Sequence, residues 1–389
     1  MPPEPDGAVG LLWGTLIGDA MGGPLEFAEQ EKRRGHVVDC RQWPESKRLD
    51  EDSIAEIAKR ATLMTYKEVR PETAPYGPWI KEAPAGTVTD DSRFKVILVR
   101  AIRAAAEQGA EAVTQSHLAK AILEFSPRFG RAADSVTQKL MDEGLREYRY
   151  AANWILGQRD PKLALPIDRL WAGIPNCSGQ MLLLPLALQF PGQAEDAYRR
   201  AFELNFVDAA GAKDIAAAIV AGLAAVLGNE SKALTNEQRW ARFEKTMRTI
   251  DPFRLKDVPF AGRPLHKWLD LADSIVERAN GRPSVAYKLL ETDGKPVYYW
   301  DAHFTLLVAV TLLKLSRYNG LCALHLAIDF GHDTDSYAQL IGAMAGAVEG
   351  ANVFPNEMRE TVAVRLQADY GEEVADWVNL LSPRVDRKR

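Results

Sequence analysis

The sequence predicts an all-α protein, one large helical domain with at most a minor β-hairpin. Three observations predict it. Alanine, the strongest helix former, is abundant in long segments whose apolar residues recur at helical spacing. Runs of alternating β-branched residues are scarce. No Gly/Ser linker and no 20–50-residue repeat divides the 389 residues, so several small domains or a solenoid are disfavoured.

Taken in chain order, the first element carries Gly10, Gly14, Gly18 and Gly22, four residues apart and therefore on one helix face. Residues 29–86 follow as a long irregular insertion, with five prolines between Pro44 and Pro84 and a β-like edge segment at 34–40. Helices are expected at 94–108, 136–154, 196–205, 212–227, 236–249, 265–280, 304–315, 321–328, 336–349 and 359–380, with loops at 157–179 and 251–264. Residues 288–299 alternate enough around Asp293-Gly294 to suggest the one hairpin. The whole of 8–380 reads as one domain, and 381–389 as a basic, solvated tail.

Composition narrows the function. Lys and Arg total 48 against 53 Asp and Glu, a formal net charge of −5, which argues against a general nucleic-acid binder. Cys40, Cys177 and Cys322 are odd in number and far apart, so a disulfide framework is not expected. The six histidines form no HExxH pair, so a metal would be held by oxygen ligands. The longest apolar run, 215–228, is fourteen residues, short of the roughly 20 a spanning helix needs. The acidic amino terminus does not read as a signal peptide. A cytoplasmic monomer is the expectation.

Two pairs of features carry chemistry. The glycine ridge of the first helix has a counterpart at Ala338, Gly342, Gly346 and Gly350. Each internal glycine costs roughly 0.5–1 kcal/mol relative to alanine, and close approach of two backbones is the compensating gain, so each ridge is expected to pack tightly on a near neighbour, the other ridge being one candidate. Asp19, Asp335 and Glu349 interrupt any membrane context for such a motif. The second pair is Thr89-Asp90-Asp91-Ser92 ahead of 94–108 and Asp333-Thr334-Asp335-Ser336 ahead of 336–349. Either alone reads as an ordinary N-cap with first-turn acids. Together they hold four carboxylates where one or two suffice as caps, and gathered carboxylates repel unless a hard cation sits among them.

These residues resemble the ADP-ribosylglycohydrolase family, which includes the dinitrogenase-reductase-activating glycohydrolases and ADP-ribosyl-acceptor hydrolases. The resemblance rests on Gly14-Thr-Leu-Ile-Gly-Asp-Ala-Met-Gly-Gly-Pro-Leu-Glu26, on Thr89-Asp-Asp-Ser92, and on Phe330-Gly-His-Asp-Thr-Asp-Ser336 followed by Gly342-Ala-Met-Ala-Gly346, in family order. Weaker similarity lies at 176–181, 216–227 and 353–355. What the resemblance implies is a single large all-α orthogonal bundle and a metal-dependent hydrolase that cleaves the glycosidic bond between ADP-ribose and a modified acceptor at a binuclear site with two Mg²⁺ (or Mn²⁺). Thr89, Asp90, Asp91, Asp333, Asp335 and Ser336 would be the ligands; the last position is usually Thr. Glu26 and Asp91 would be the catalytic acid/base candidates, and Gly331, His332, Ser178 and Gly179 would bind substrate. Asp19 would be structural. The substrate would contain ADP-ribose and could be an ADP-ribosylated protein.

The chain departs from the family pattern at Gln180-Met181-Leu182, where the expected Arg after Met is missing, at Asn205-Phe206 in place of a Thr-His pair, and in the long interval between Glu26 and Thr89. These departures would reshape the cleft and leave the metal shell intact. Alternatives are hydrolysis of a small riboside or ADP-ribose-containing metabolite, and a non-catalytic, crystallin-like member. Trp13, Trp79, Trp171 and Trp300 are candidates to stack an adenine ring, although core packing is the commoner role. Asp301 and His303 stand two apart, too poorly placed on a helix to suggest a pair. A reactive thiol at Cys177 is weakly suggested.

Overall fold

A computed structural model describes residues 6–60, 63–128, 135–257 and 263–383. Helices make up 67% of the described residues, which contain no β-strand. None of the described helices is long and apolar enough to cross a membrane. Residues 384–389, most of the basic tail, lie outside the described residues.

The centre of the molecule is an antiparallel pair formed by the helices Gly7–Gly22 and Thr334–Glu349. The two glycine ridges face each other. A Cβ built on Gly14 would stand 1.9 Å from the Gly342 carbonyl oxygen, one on Gly10 2.0 Å from that of Gly346, and one on Gly18 2.2 Å from that of Ala338. Only backbones without side chains can approach so closely. Asp6 caps the first helix by accepting the Val9 N–H at 3.1 Å. Inside the pair, the Thr15 hydroxyl donates to Gln339 Oε1 (2.9 Å), and at its far end the Thr334 hydroxyl donates to the Gly22 carbonyl (2.8 Å). The pairing therefore sets the end of the first glycine ridge beside Asp333–Ser336.

Further helices surround this pair. Gly211–Leu227, Ala302–Leu315 and Gly320–Phe330 are buried over most of their surface, as Ala-, Leu- and Val-rich sequences require. Asp90–Glu107 is sided, yet even its polar residues Arg93 and Lys95 are buried.

The structure differs from the sequence reading at several places. The expected hairpin at 288–299 is a helix, Pro283–Gly294, with Pro283 in its first turn and Ala286, Tyr287 and Leu290 buried at helical spacing. Asp293-Gly294 closes that helix, with Lys295 left-handed after it, and does not turn a hairpin. Residues 34–40 form no strand. They lead into a short 3-10 turn, Cys40–Gln42, because the buried Asp329 carboxylate accepts the backbone N–H groups of Asp39 (2.6 Å) and Cys40 (2.9 Å) and fixes a bend. The expected helix at 136–154 is two, Ser135–Gly144 and Arg146–Ile155. That at 359–380 breaks at the left-handed Gly371, between Asn356–Tyr370 and Val374–Leu381. The irregular stretch 29–86 contains one longer helix, Glu51–Ala58, capped by Asp50.

Candidate active site

The glycine packing delivers Glu26 and the Asp333–Ser336 turn to the amino end of the Asp90–Glu107 helix. Thr89 caps that helix: its hydroxyl accepts the Asp91 N–H at 3.3 Å and donates to Asp19 Oδ1 at 2.8 Å. Asp19 also accepts the N–H groups of Thr89 and Ser92, so its carboxylate locks the turn and has no capacity to spare.

The acids around it are differently placed. Asp333 is the N-cap of the Thr334–Glu349 helix in position, but its side chain makes no capping bond. Carboxylate oxygens of Asp90, Asp91 and Asp335 lie within 4.8 Å of one another, and so do those of Glu26, Asp333 and Asp335. Asp335 belongs to both groups. The Ser336 hydroxyl donates to Asp91 Oδ2 at 3.1 Å, joining residues 245 positions apart.

All these acids are buried. Burial, with repulsion from neighbouring carboxylates, pushes Asp91, Asp333 and Asp335 far above the ordinary carboxylate range. Burial raises Asp90 to about 7 even with the Arg93 guanidinium opposing it. The buried Lys95 ammonium donates to the Asp91 carbonyl at 2.8 Å; burial lowers its pKa and Asp91 opposes that. Asp91 Oδ1 and Asp333 Oδ2 are buried without a hydrogen-bond partner among the described residues. A buried carboxylate oxygen without a donor is costly. Oxygen-rich clusters of this kind suit hard divalent cations, and the two overlapping groups can hold such ions.

The cluster floors a cavity of about 280 Å³. Glu26, Asp90, Asp91, Asp333 and Ser336 line it, and Phe27, Tyr76, Tyr148, Trp171, Met181 and Trp300 make the lining largely aromatic and apolar. Ser178 lines it too, sharing a 2.7 Å hydrogen bond with the Tyr148 hydroxyl. Cys177 is buried in the wall, its Sγ 3.5 Å from Ser336 Oγ, and burial pushes its thiol far up, opposite to what a reactive thiolate needs. Two lining residues are tied together where the Cys177 N–H donates to the Trp300 carbonyl (3.1 Å).

Other residues singled out from the sequence stand outside the lining. Gly179 faces Asn205 and Asp208; a Cβ there would lie 2.2 Å from Asp208 Oδ2, and its N–H donates to Asp208 Oδ1 at 3.0 Å. Gly331 packs against the Arg33 guanidinium, where a Cβ would stand 2.3 Å from Nη1. His332 stacks on Tyr299, centroids 3.5 Å apart, with Nε2 3.1 Å from Glu291. Its carbonyl accepts the Phe27 N–H at 2.8 Å, so its backbone steadies the segment bearing Glu26. Trp171 and Trp300 line the cavity, whereas Trp79 is buried beneath Arg93 and Trp13 packs on the core. Asp301 and His303 do pair, at 2.8 Å, because Asp301 caps the helix in which His303 is the second residue.

Sequence reasoning missed Phe27, Arg70, Tyr76, Tyr148 and Met181. Arg70 and Tyr76 fall in the irregular stretch, where periodicity gives no signal. Tyr148 and Met181 lie on helices where an aromatic or Met reads as core.

The carboxylate cluster and its cavity sit on an all-α frame. The family model described as ADP-ribosylglycohydrolase matches residues 2–387, and the chain belongs to that family of glycoside-cleaving hydrolases. A search of curated protein sequences found no match to the chain.

Proposed function

We propose that the protein hydrolyses the glycosidic bond between ADP-ribose and a modified acceptor, with residues 8–380 acting as one domain and two Mg²⁺ or Mn²⁺ ions bound by the acid cluster. The observation that carries this reading is the pair of buried carboxylate groups that share Asp335 and whose other members, Glu26, Asp90, Asp91 and Asp333, line the cavity. Asp90, Asp91 and Asp335 would hold one ion, and Asp333 and Asp335 the other, with Ser336 at the edge of both. Thr89 fits beside them: its hydroxyl proton goes to Asp19, and an oxygen with two lone pairs keeps one for a cation.

When bound, such ions supply Lewis-acid polarisation and orient sugar hydroxyls. The chain's residues do the rest. Glycosidic cleavage passes through an oxocarbenium-like state and needs a carboxylate to protonate the leaving group or take a proton from water. Glu26 lines the cavity and Asp91 has an oxygen with no donor, so these two are the acid/base candidates. The aromatic walls exclude bulk water and offer faces for a purine or acceptor group.

Asp333→Ala and Asp335→Ala test this. Both should lose at least about a hundredfold in kcat/KM on ADP-ribosylated substrates while keeping the helical circular-dichroism spectrum. Full activity in both would sink the proposal.

A further inference from the structure

Residues 63–86 contribute Arg70, Ala74 and Tyr76 to the cavity wall. They are held there firmly. The Arg93 guanidinium sits 3.6 Å from the centre of the Trp79 ring and donates to the Gly77 carbonyl at 2.8 Å. Trp79 Nε1 donates to the Pro75 carbonyl at 2.9 Å, and Gly144 gives that carbonyl room, since a Cβ there would stand 2.3 Å from it. Arg70 is thus presented by a braced segment.

Among the described lining residues, Arg70 is the only cationic side chain; Glu26, Asp90, Asp91 and Asp333 are the anionic ones. Its Nη1 donates to Glu26 Oε2 in an ion pair whose side chains are 24% and 8% exposed. A planar guanidinium is the natural partner of a carboxylate. Here the chain supplies its own, on a carboxylate proposed to act beside the scissile bond. An acceptor arriving with a guanidinium or ammonium group at that carboxylate would find the position filled. It would also be placed against a like charge in a largely apolar cavity, which strengthens the repulsion. A neutral oxygen-linked acceptor meets no such penalty.

We infer that Arg70 is a specificity-determining residue that excludes cationic acceptors, so that the substrate carries ADP-ribose on an oxygen of a hydroxyl or carboxyl group and not on a guanidinium. The inference rests on the proposed hydrolase reading.

The test compares full-length wild type, Arg70→Gln and Arg70→Lys, each with Mg²⁺, on ADP-ribosyl-serine and ADP-ribosyl-arginine. Both kcat/KM and calorimetric Kd are read, and thermal melts verify that each variant is folded. Wild type should favour the serine-linked compound by at least about tenfold, as like-charge repulsion in a partly buried site demands. Arg70→Gln should narrow that ratio several-fold, chiefly by improving the arginine-linked compound, and Arg70→Lys should retain it. A wild-type preference for the arginine-linked compound, or a ratio unmoved in Arg70→Gln, overturns the inference. Binding of both compounds with no turnover of either overturns the hydrolase reading alone, because the affinity ratio still reports the selectivity; binding of neither overturns both.

Discussion

At the residue scale, the site is a case of charge stored against its own preference. Asp335 takes part in both carboxylate groups, so one substitution acts on both. Asp335→Asn should abolish the calorimetric signal for divalent-ion binding, while Asp90→Asn should weaken it and leave part. The linkage sign follows from the raised pKa values. The folded protein holds protons on these acids more tightly than the unfolded chain. In chelator, stability should therefore be greatest at low pH within the folded range. It should fall as pH rises from the ordinary carboxylate range, near 4, through about 7, where Asp90 titrates. Saturating Mg²⁺ should remove that fall, because a bound ion favours the charged forms. Thermal melts from pH 5 to 8 in EDTA and in Mg²⁺ measure it; identical profiles would contradict the cation assignment. A second buried acid gives an independent reading. Burial raises Glu349, far along the same helix, to about 8, and its Oε1 has no hydrogen-bond partner among the described residues. Glu349→Gln should flatten the part of the stability profile between about 4.5 and 8 without changing ion affinity.

At the element scale, the claim is that the two glycine ridges position the chemistry. Gly342→Ala would set a methyl group 1.9 Å from the Gly14 carbonyl oxygen. Backbone must move to accommodate it, at a cost of about 1–3 kcal/mol by analogy with overpacked cores. Because Gly22 packs against Asp335, where a Cβ would be 2.5 Å from its Cα, the strain should also reduce divalent-ion affinity by roughly tenfold or more, about 1.4 kcal/mol. Chemical denaturation and calorimetry read the two effects, and a destabilised variant with undiminished ion affinity would show that the ridges only pack. These ridges were legible in the sequence because four-residue spacing maps directly onto a helix face. The acidic clusters were legible as a pair, and the structure separates cap from spare acid by giving the capping bond to Thr89 and none to the side chain of Asp333. The segment 288–299 was not legible: Tyr298, Tyr299 and Asp293-Gly294 mimic strand and turn locally, whereas the helix Pro283–Gly294 is decided by tertiary burial of Ala286, Tyr287 and Leu290. Breaks at Gly144 and Gly371 were missed for a related reason. A glycine inside a periodic run shows its use only when the opposing chain is seen, here the Pro75 carbonyl against Gly144.

At the scale of the whole molecule, both ends of the chain build one site. Glu26 comes from the first helix and its exit, Asp90 and Asp91 from the next long helix, and Asp333, Asp335 and Ser336 from a segment more than 240 residues later. The aromatic walls come from the middle of the sequence, at Tyr148, Trp171 and Trp300. Composition alone could not locate such a site, since each contributing segment is an ordinary helix start or loop. The net charge of −5 also takes on a different meaning, because four of those acids face a space suited to divalent cations. With two divalent cations bound among them, Asp90, Asp91, Asp333 and Asp335 would not oppose an anionic diphosphate ligand. The most direct measurement of this account is anomalous diffraction from crystals grown with Mn²⁺ and ADP-ribose. Two Mn²⁺ peaks are predicted, one among Asp90, Asp91 and Asp335 and one among Asp333, Asp335 and the Glu26 side, with the ribose in the cavity above them. Well-ordered carboxylates without manganese, or ADP-ribose bound elsewhere, would contradict it.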